Sequence, residues 1–311
     1  MDKNQWLDPQ PWKRDIDAPC LSLGAAGQFD DTHIFAPCVA LENNRYYMWY
    51  SGSRGEVDLR VFALGLATSD DGLHFTRHPA SPVCTLMTDH SILTPTLVRH
   101  PDGSLRREAG KLRMFFSSTD FPSGDTRHTL HAMTSDDGLR WETPSAPLLE
   151  NAYAPTLFWE DDHYRLWYTD VTADPWTIRA ATSDDGFEWQ VHPQPVLELD
   201  QEWEFQRLVY PAVLKENGYY LMWYGSYSSY PPEVMKTSIG FAISEDGLNW
   251  TKSPHNPIFG PDPSRSWESH FTTSHSLLRL ADGSLRLWYA SRTKPPFVHK
   301  YYAIGTARWP A

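Results

Sequence analysis

Three cysteines in 311 residues, Cys20, Cys38 and Cys84, are too few for a disulfide framework and contain no Cys-x-x-Cys metal pair, which fits a reducing compartment. Positive charge is also short: 27 Lys and Arg stand against 39 Asp and Glu, a formal net charge of −12. That balance is the reverse of the basic patch a phosphate backbone selects, so no nucleic-acid partner is expected. No apolar run approaches the roughly 18 residues of a membrane span, and the stretch from Met1 to Trp6 lacks the apolar segment of a secretory signal. These absences lead to the expectation of a cytoplasmic protein, monomeric or a small homo-oligomer, that uses neither membrane nor nucleic acid.

What the chain has in excess is aromatic surface: 14 Trp, 15 Tyr and 14 Phe, within a 41% hydrophobic composition that suits a large folded core. Much of it recurs in register. Ser69-Asp70-Asp71-Gly72-Leu73-His74-Phe75 is repeated at Ser135 to Trp141, Ser183 to Trp189 and Ser244 to Trp250. Asp-Gly favours tight turns because Gly takes φ > 0 and the Asp side chain bonds its own backbone, so each copy predicts a turn between two strands and a structural role for Asp71, Asp137, Asp185 and Asp246.

A second repeat precedes these boxes: Tyr47-Met48-Trp49-Tyr50, Arg113-Met114-Phe115-Phe116, Arg165-Leu166-Trp167-Tyr168, Leu221-Met222-Trp223-Tyr224 and, for a fifth time, Arg286-Leu287-Trp288-Tyr289. Short runs of bulky residues read as buried strands. Before each lies another apolar strand, marked by Pro37, Pro95, Pro155, Pro211 and the aligned His275, and a third strand carries Leu64, Leu130, Ile178, Ile239 or Ile304. Four antiparallel strands repeated radially describe a five-bladed β-propeller in one all-β domain, residues 1–311, with blades at roughly 33–84, 90–149, 151–198, 207–259 and 270–308. The fifth unit ends without an outer strand. Trp12 stands before Pro19-Cys20-Leu21 at the spacing seen after each box aromatic, so residues 12–21 are expected to supply that strand by pairing with residues 302–307 and so close the ring.

Loops leading into the innermost strands collect at one end of such an axis. They carry Asp30, Asp31 and His33; Asp89 and His90; Glu150 and Tyr153; Glu204 and Arg207; Glu268 and His270. A carboxylate from every blade suits glycosidic chemistry, in which one acid protonates the leaving oxygen while another activates water or attacks carbon. Asp31, Asp89 and Glu150 are the expected catalytic residues. His33, His90, Tyr153, Glu204, Arg207, Glu268, His270 and Trp176 are expected to bind the substrate. Asp120–Asp125 and Tyr227–Pro232 are read as pocket rims, and Arg54, Arg60, Arg127 and Arg292 either bind an anionic substrate or pair at the surface. His33, His90, His270 and His275 allow a second chemistry, a divalent metal held with nearby carboxylates.

Both repeats, with the Tyr46-to-Gly52 strand Y-Y-M-W-Y-S-G, the A-P-x-[VL] strand and the A-T-S-D-D-G turn, resemble the five-bladed propeller glycoside hydrolases, the superfamily of families 32, 43, 68, 117 and 130, over essentially the whole chain. The resemblance implies three acids on the innermost strands of the first three blades. Here the matching places hold Ala36-Pro37, Pro95-Thr96 and Tyr153-Ala154-Pro155, which shifts the expected acids to Asp31, Asp89 and Glu150. It also implies that His275 corresponds to an axial histidine beside a calcium-water cluster; no cofactor is required otherwise. The expected function is cleavage of a glycosidic bond in a small or oligomeric sugar. The alternatives are a carbohydrate-binding propeller without turnover and a metal-dependent lyase or hydrolase.

Overall fold

The computed structural model describes residues 2–86, 88–124, 127–227, 236–293 and 303–310. The protein is all-β, 2% helical and 50% strand, in several sheets, none of them closed. Five antiparallel units follow one another in sequence. The first is His33–Glu42, Arg45–Ser53, Ala63–Ser69 and Thr76–Arg77. The second is Leu93–Leu97, Lys111–Ser118, Thr129–Ser135 and Leu149–Glu150, and the third Ala152–Glu160, His163–Asp170, Thr177–Ser183 and Gln190–Val191. Phe205–Glu216, Tyr219–Tyr227, Thr237–Ser244 and Trp250–Lys252 make the fourth. The fifth holds Phe271–Arg279, Leu285–Arg292 and Ala303–Trp309, whose free edge is covered by Lys13–Arg14 and Leu21–Ser22, paired as Lys13↔Arg308 and Leu21↔Ile304. A single parallel pairing, Thr237↔Phe271, joins units four and five into one nine-stranded sheet. Among the described residues no helix is long and apolar enough to cross a membrane.

The repeats have distinct jobs in this arrangement. In each box the serine hydroxyl accepts the glycine N–H, and the second carboxylate accepts the next two backbone N–H groups, as Asp137 does from Leu139 and Arg140, both at 2.9 Å. Those N–H groups hold the Asp137 carboxyl down at about 2, so the boxes are turn chemistry. The aromatic strands reach across to the neighbouring box: Trp49 donates to Gly138 O, Trp167 to Gly247 O and Trp288 to Gly72 O, at 2.8–2.9 Å. The last of these ties unit five to unit one. Trp223 of unit four meets no box, because the fifth unit has none. Its indole donates instead to Gln10 Oε1 at 3.1 Å, beneath a short helix, Lys3–Leu7, whose Trp6 is fully buried. The N-terminal segment thus provides both the outer strand and a substitute for the fifth turn.

The first strands contact one another in succession, and that of the fifth contacts that of the first. Every one of them carries a bulge at the same place, where Ala36, Thr94, Ala154, Tyr210 and Ser274 take φ of 48–55°. Such left-handed backbone is costly for residues with a Cβ and persists only where neighbours hold it. At two of the five a hydroxyl of the preceding unit accepts the displaced N–H group: Ser117 Oγ takes Ala154 N at 3.0 Å, and Thr169 Oγ1 takes Tyr210 N at 3.2 Å. A bulge turns the following and preceding side chains off the regular alternation.

Candidate functional site

Three of the carboxylates expected to ring a pocket are instead buried in clamps. Asp30 accepts the Tyr50 hydroxyl at 2.8 Å and Arg77 Nε at 2.7 Å. Glu204 accepts the Tyr224 hydroxyl at 2.6 Å and Lys252 Nζ at 2.7 Å; Glu268 accepts the Tyr289 hydroxyl at 2.7 Å and Arg14 Nε at 2.6 Å. In each case the acid precedes the first strand, the tyrosine ends the aromatic run, and the cation lies on the outer strand. Burial, then the neighbouring carboxylate, pushes all three tyrosine hydroxyls well above their usual range. An aromatic residue just before the acid, Phe29, Trp203 or Trp267, packs with the tyrosine over Gly65, Gly240 or Gly305, where any Cβ would collide with these rings. The clamp is readable as an aromatic–acid doublet paired with a glycine that follows the aliphatic residue of the third strand.

Units two and three lack that glycine and build differently. His131 occupies the place in unit two and stacks on Phe116 at 5.5 Å; Arg179 occupies it in unit three and pairs with Asp170 at 2.9 Å. A large cavity, of about 650 Å3, is lined by units one to four. Its walls come from the bulged first strands (Phe35, Tyr153, Tyr210) and from connections between second and third strands (Asp58, Arg60, Phe62, Phe121, Asp174, Trp176). His128, Arg207 and Tyr227 complete it. The His128 ring lies 4.4 Å from that of Tyr153, which stands edge-on to Trp176 at 6.2 Å, and the Tyr153 and Tyr210 hydroxyls share a hydrogen bond of 2.8 Å. Arg60 sits 4.0 Å over Phe121 and Arg207 3.9 Å over Trp176. Burial pulls the Arg60 guanidinium below its ordinary value, partly offset by Tyr153 and Asp58.

Of the residues expected to act on substrate, the structure brings Tyr153, Trp176 and Arg207 together at this cavity. Asp31, Asp89 and Glu150 do not line it. Asp31 accepts Gly27 N at 2.7 Å and the Thr32 hydroxyl; Asp89 and His90 are exposed; Glu150 is exposed on an edge strand opposite Thr129. Glu204 and Glu268 serve in clamps. His33 is buried against Phe62, and His270 bonds the carbonyl of Ser269. Residues 228–232 and Asp125 of the two expected rims lie outside the described residues, while Tyr227, Phe121 and Gly124 of those rims line the cavity. Repeat register does not reveal Asp58, Arg60 and Asp174 as cavity acids and base, although Arg60 is one of the four arginines that stand on connections.

The histidines do not converge. Among the described residues no three His, Cys, Asp or Glu side chains form a metal-ligand group. His275 is buried in a separate axial space of about 70 Å3, large enough for a few water molecules, where Nε2 donates to Trp223 O at 3.1 Å and burial lowers its pKa to about 4. That space is lined by proline, alanine, threonine, serine and aliphatic residues and by Cys38, Arg99, Phe158 and Tyr210, with no carboxylate. It does not fit calcium, which takes six to eight oxygen ligands and favours carboxylates.

No family model matches the chain, and no curated protein matches it. Solved structures do. One described as a BT0996 RGII complex is 16% identical, with 99% of this chain and 94% of the other covered and a TM-score of 0.75. An N-acetylgalactosamine deacetylase from F. plautii, in complex with blood group B trisaccharide, is 15% identical over 96% and 95% of the two chains, at a TM-score of 0.71. A third belongs to work on the GH130 family of mannoside phosphorylases, containing glycoside hydrolases that target β-1,2 mannosidic linkages in Candida mannan; it is 14% identical over 97% and 94%, at 0.70. The chain shares the fold of glycoside hydrolase-like proteins. At this identity the likeness speaks for the fold alone, and proteins with that fold are described as hydrolases, phosphorylases and a deacetylase, so the reaction has to be read from the cavity.

Proposed function

We propose that the five units are blades of a five-bladed β-propeller closed by the N-terminal segment, and that the 650 Å3 cavity binds a carbohydrate whose glycosidic bond the protein cleaves. The succession of contacts from the fifth first strand back to the first, and the Trp288 bond to the box of unit one, support the ring. The observation that carries the functional reading is the run of rings through His128, Tyr153 and Trp176 in a cavity that also holds Asp58 and Asp174. Aromatic faces suit the apolar faces of sugar rings, tyrosine hydroxyls suit their hydroxyl groups, and two carboxyl groups are what glycoside cleavage needs. Asp58 and Asp174 extend from units one and three and are the candidates for acid and base.

Turnover of an aryl-glycoside and oligosaccharide panel tests this. Asp58→Asn or Asp174→Asn is expected to reduce the rate on any responsive substrate by roughly a hundredfold or more. A panel with no turnover by the wild-type protein contradicts cleavage. A second reading, binding without turnover, is favoured by the position of Asp31, Asp89 and Glu150 outside the cavity; it predicts ligand-induced stabilisation with no product and no sensitivity of binding to D58N.

A further inference from the structure

Resting on that reading of the cavity as a sugar site, we propose that its ligand is an acidic sugar, one carrying a carboxylate such as a uronate, recognised by Arg60 and Arg207. The two guanidiniums bracket the aromatic wall. From Phe121, under Arg60, ring contacts run to His128 at 6.3 Å, to Tyr153 at 4.4 Å and to Trp176 at 6.2 Å, and Trp176 underlies Arg207. A sugar lying along this wall meets a cation at either end.

The aromatic faces hold these guanidiniums in place but accept none of their N–H groups in the ring plane. Arg60 Nη1 donates to Val57 O at 2.6 Å, while the Nε groups of both arginines are buried with no hydrogen-bond partner among the described residues. Asp174 approaches Arg207 Nε only to 3.8 Å, beyond hydrogen-bond range, and its side chain is 74% exposed. Arg14, Arg77 and Arg179 differ, each placing Nε within 2.6–2.9 Å of a carboxylate, whereas Arg286 Nε, also without a hydrogen bond, pairs with Asp15 at 3.3 Å. Each guanidinium has one of the cavity's aspartates as a neighbour, Asp174 at 3.8 Å from Arg207 Nε and Asp58 near Arg60, and among the described residues neither aspartate accepts an Nε–H. The buried Nε groups are closed to a ligand, which meets the guanidiniums at their Nη edges, where a carboxylate offers two oxygens that match the planar fork and a neutral hydroxymethyl group does not.

Titration calorimetry of the full chain with methyl glucuronoside against methyl glucoside, and with the matching galacto pair, tests the proposal. The charged member is expected to bind at least about tenfold tighter, as a charge-assisted hydrogen bond implies, and the advantage should shrink as salt is raised. R60Q and R207Q should each reduce the ratio of the two affinities, and R207K should keep part of it; melting curves report whether each variant is folded. Equal affinity for charged and neutral members overturns the acidic ligand while leaving a sugar site. Binding of neither member overturns both readings. Inorganic phosphate binding as tightly as the uronate, with the same loss in R60Q, also overturns the proposal, because it identifies an anion site to which the sugar contributes nothing.

Discussion

Replacing Glu268 by alanine is expected to lower the unfolding free energy by about 3–5 kcal/mol, the usual cost of removing one partner from a buried ion pair. The Glu268 side chain is fully buried and serves three groups: Arg14 Nε at 2.6 Å, Arg265 Nε at 3.4 Å and the Tyr289 hydroxyl at 2.7 Å. Arg14 lies in the N-terminal segment, 254 positions away in sequence, so the clamp fastens the two ends of the chain together. Its loss leaves the buried Tyr289 hydroxyl without that acceptor and the Arg14 guanidinium with its bond to Gly260 O at 2.7 Å but no carboxylate at Nε. An exposed pair provides the control: Lys111 and Glu142 have side chains 37% and 56% exposed, and E142A should leave the denaturant midpoint close to that of the wild type. Denaturant midpoints at constant slope measure both, and equal small losses would mean that Glu268 is not acting as a clamp.

Trp6→Ala should be comparably damaging, about 3–5 kcal/mol for a large aromatic removed from a packed site. Trp6 is fully buried, with Trp309 edge-on at 5.2 Å, Trp223 edge-on at 6.4 Å and Phe241 stacked at 6.1 Å. Its helix begins with a capping box, in which Asp2 accepts Asn4 N and Gln5 N while Gln5 accepts Asp2 N. Five residues of helix have little stability alone, so its order depends on that tryptophan. If the N-terminal segment replaces the absent fifth box, W6A will also free Gln10 from Trp223 and expose the edge of Ala303–Trp309, read as faster proteolysis near the N-terminus. An unchanged midpoint and an unchanged cleavage pattern would make the helix a passive appendage.

The contrast between these structural acids and the cavity explains which parts of the protein are legible in its residues. The boxes and aromatic runs are local patterns, so turns, strands and the pairing of residues near 12–21 with the last strand follow from spacing, and the register Leu21↔Ile304 agrees. The carboxylates are in register too, and that misleads: Asp30, Glu204 and Glu268 recur because each of these units needs an acceptor for its buried tyrosine, a structural demand as periodic as the sheet itself. Direction is the missing information. Along a strand one residue reverses the face, and each first strand contains a bulge that adds one, so a carboxylate counted back from Pro37 or Pro155 has no assignable side. Tyr153 and Arg207 are legible because they fall in the stretches leading into the innermost strands, and Trp176 because it fits none of the repeats. Asp58 and Asp174 lie on irregular connections, where no period applies.

The decisive measurement is a crystal structure of the protein soaked with an oligosaccharide that stabilises it. Sugar rings are expected against Tyr153 and Trp176, within hydrogen-bonding distance of Arg207 and between Asp58 and Asp174. A sugar seated instead beside Asp31, Asp89 or Glu150, with the Tyr153–Trp176 wall bare, would contradict the assignment of this cavity as the site.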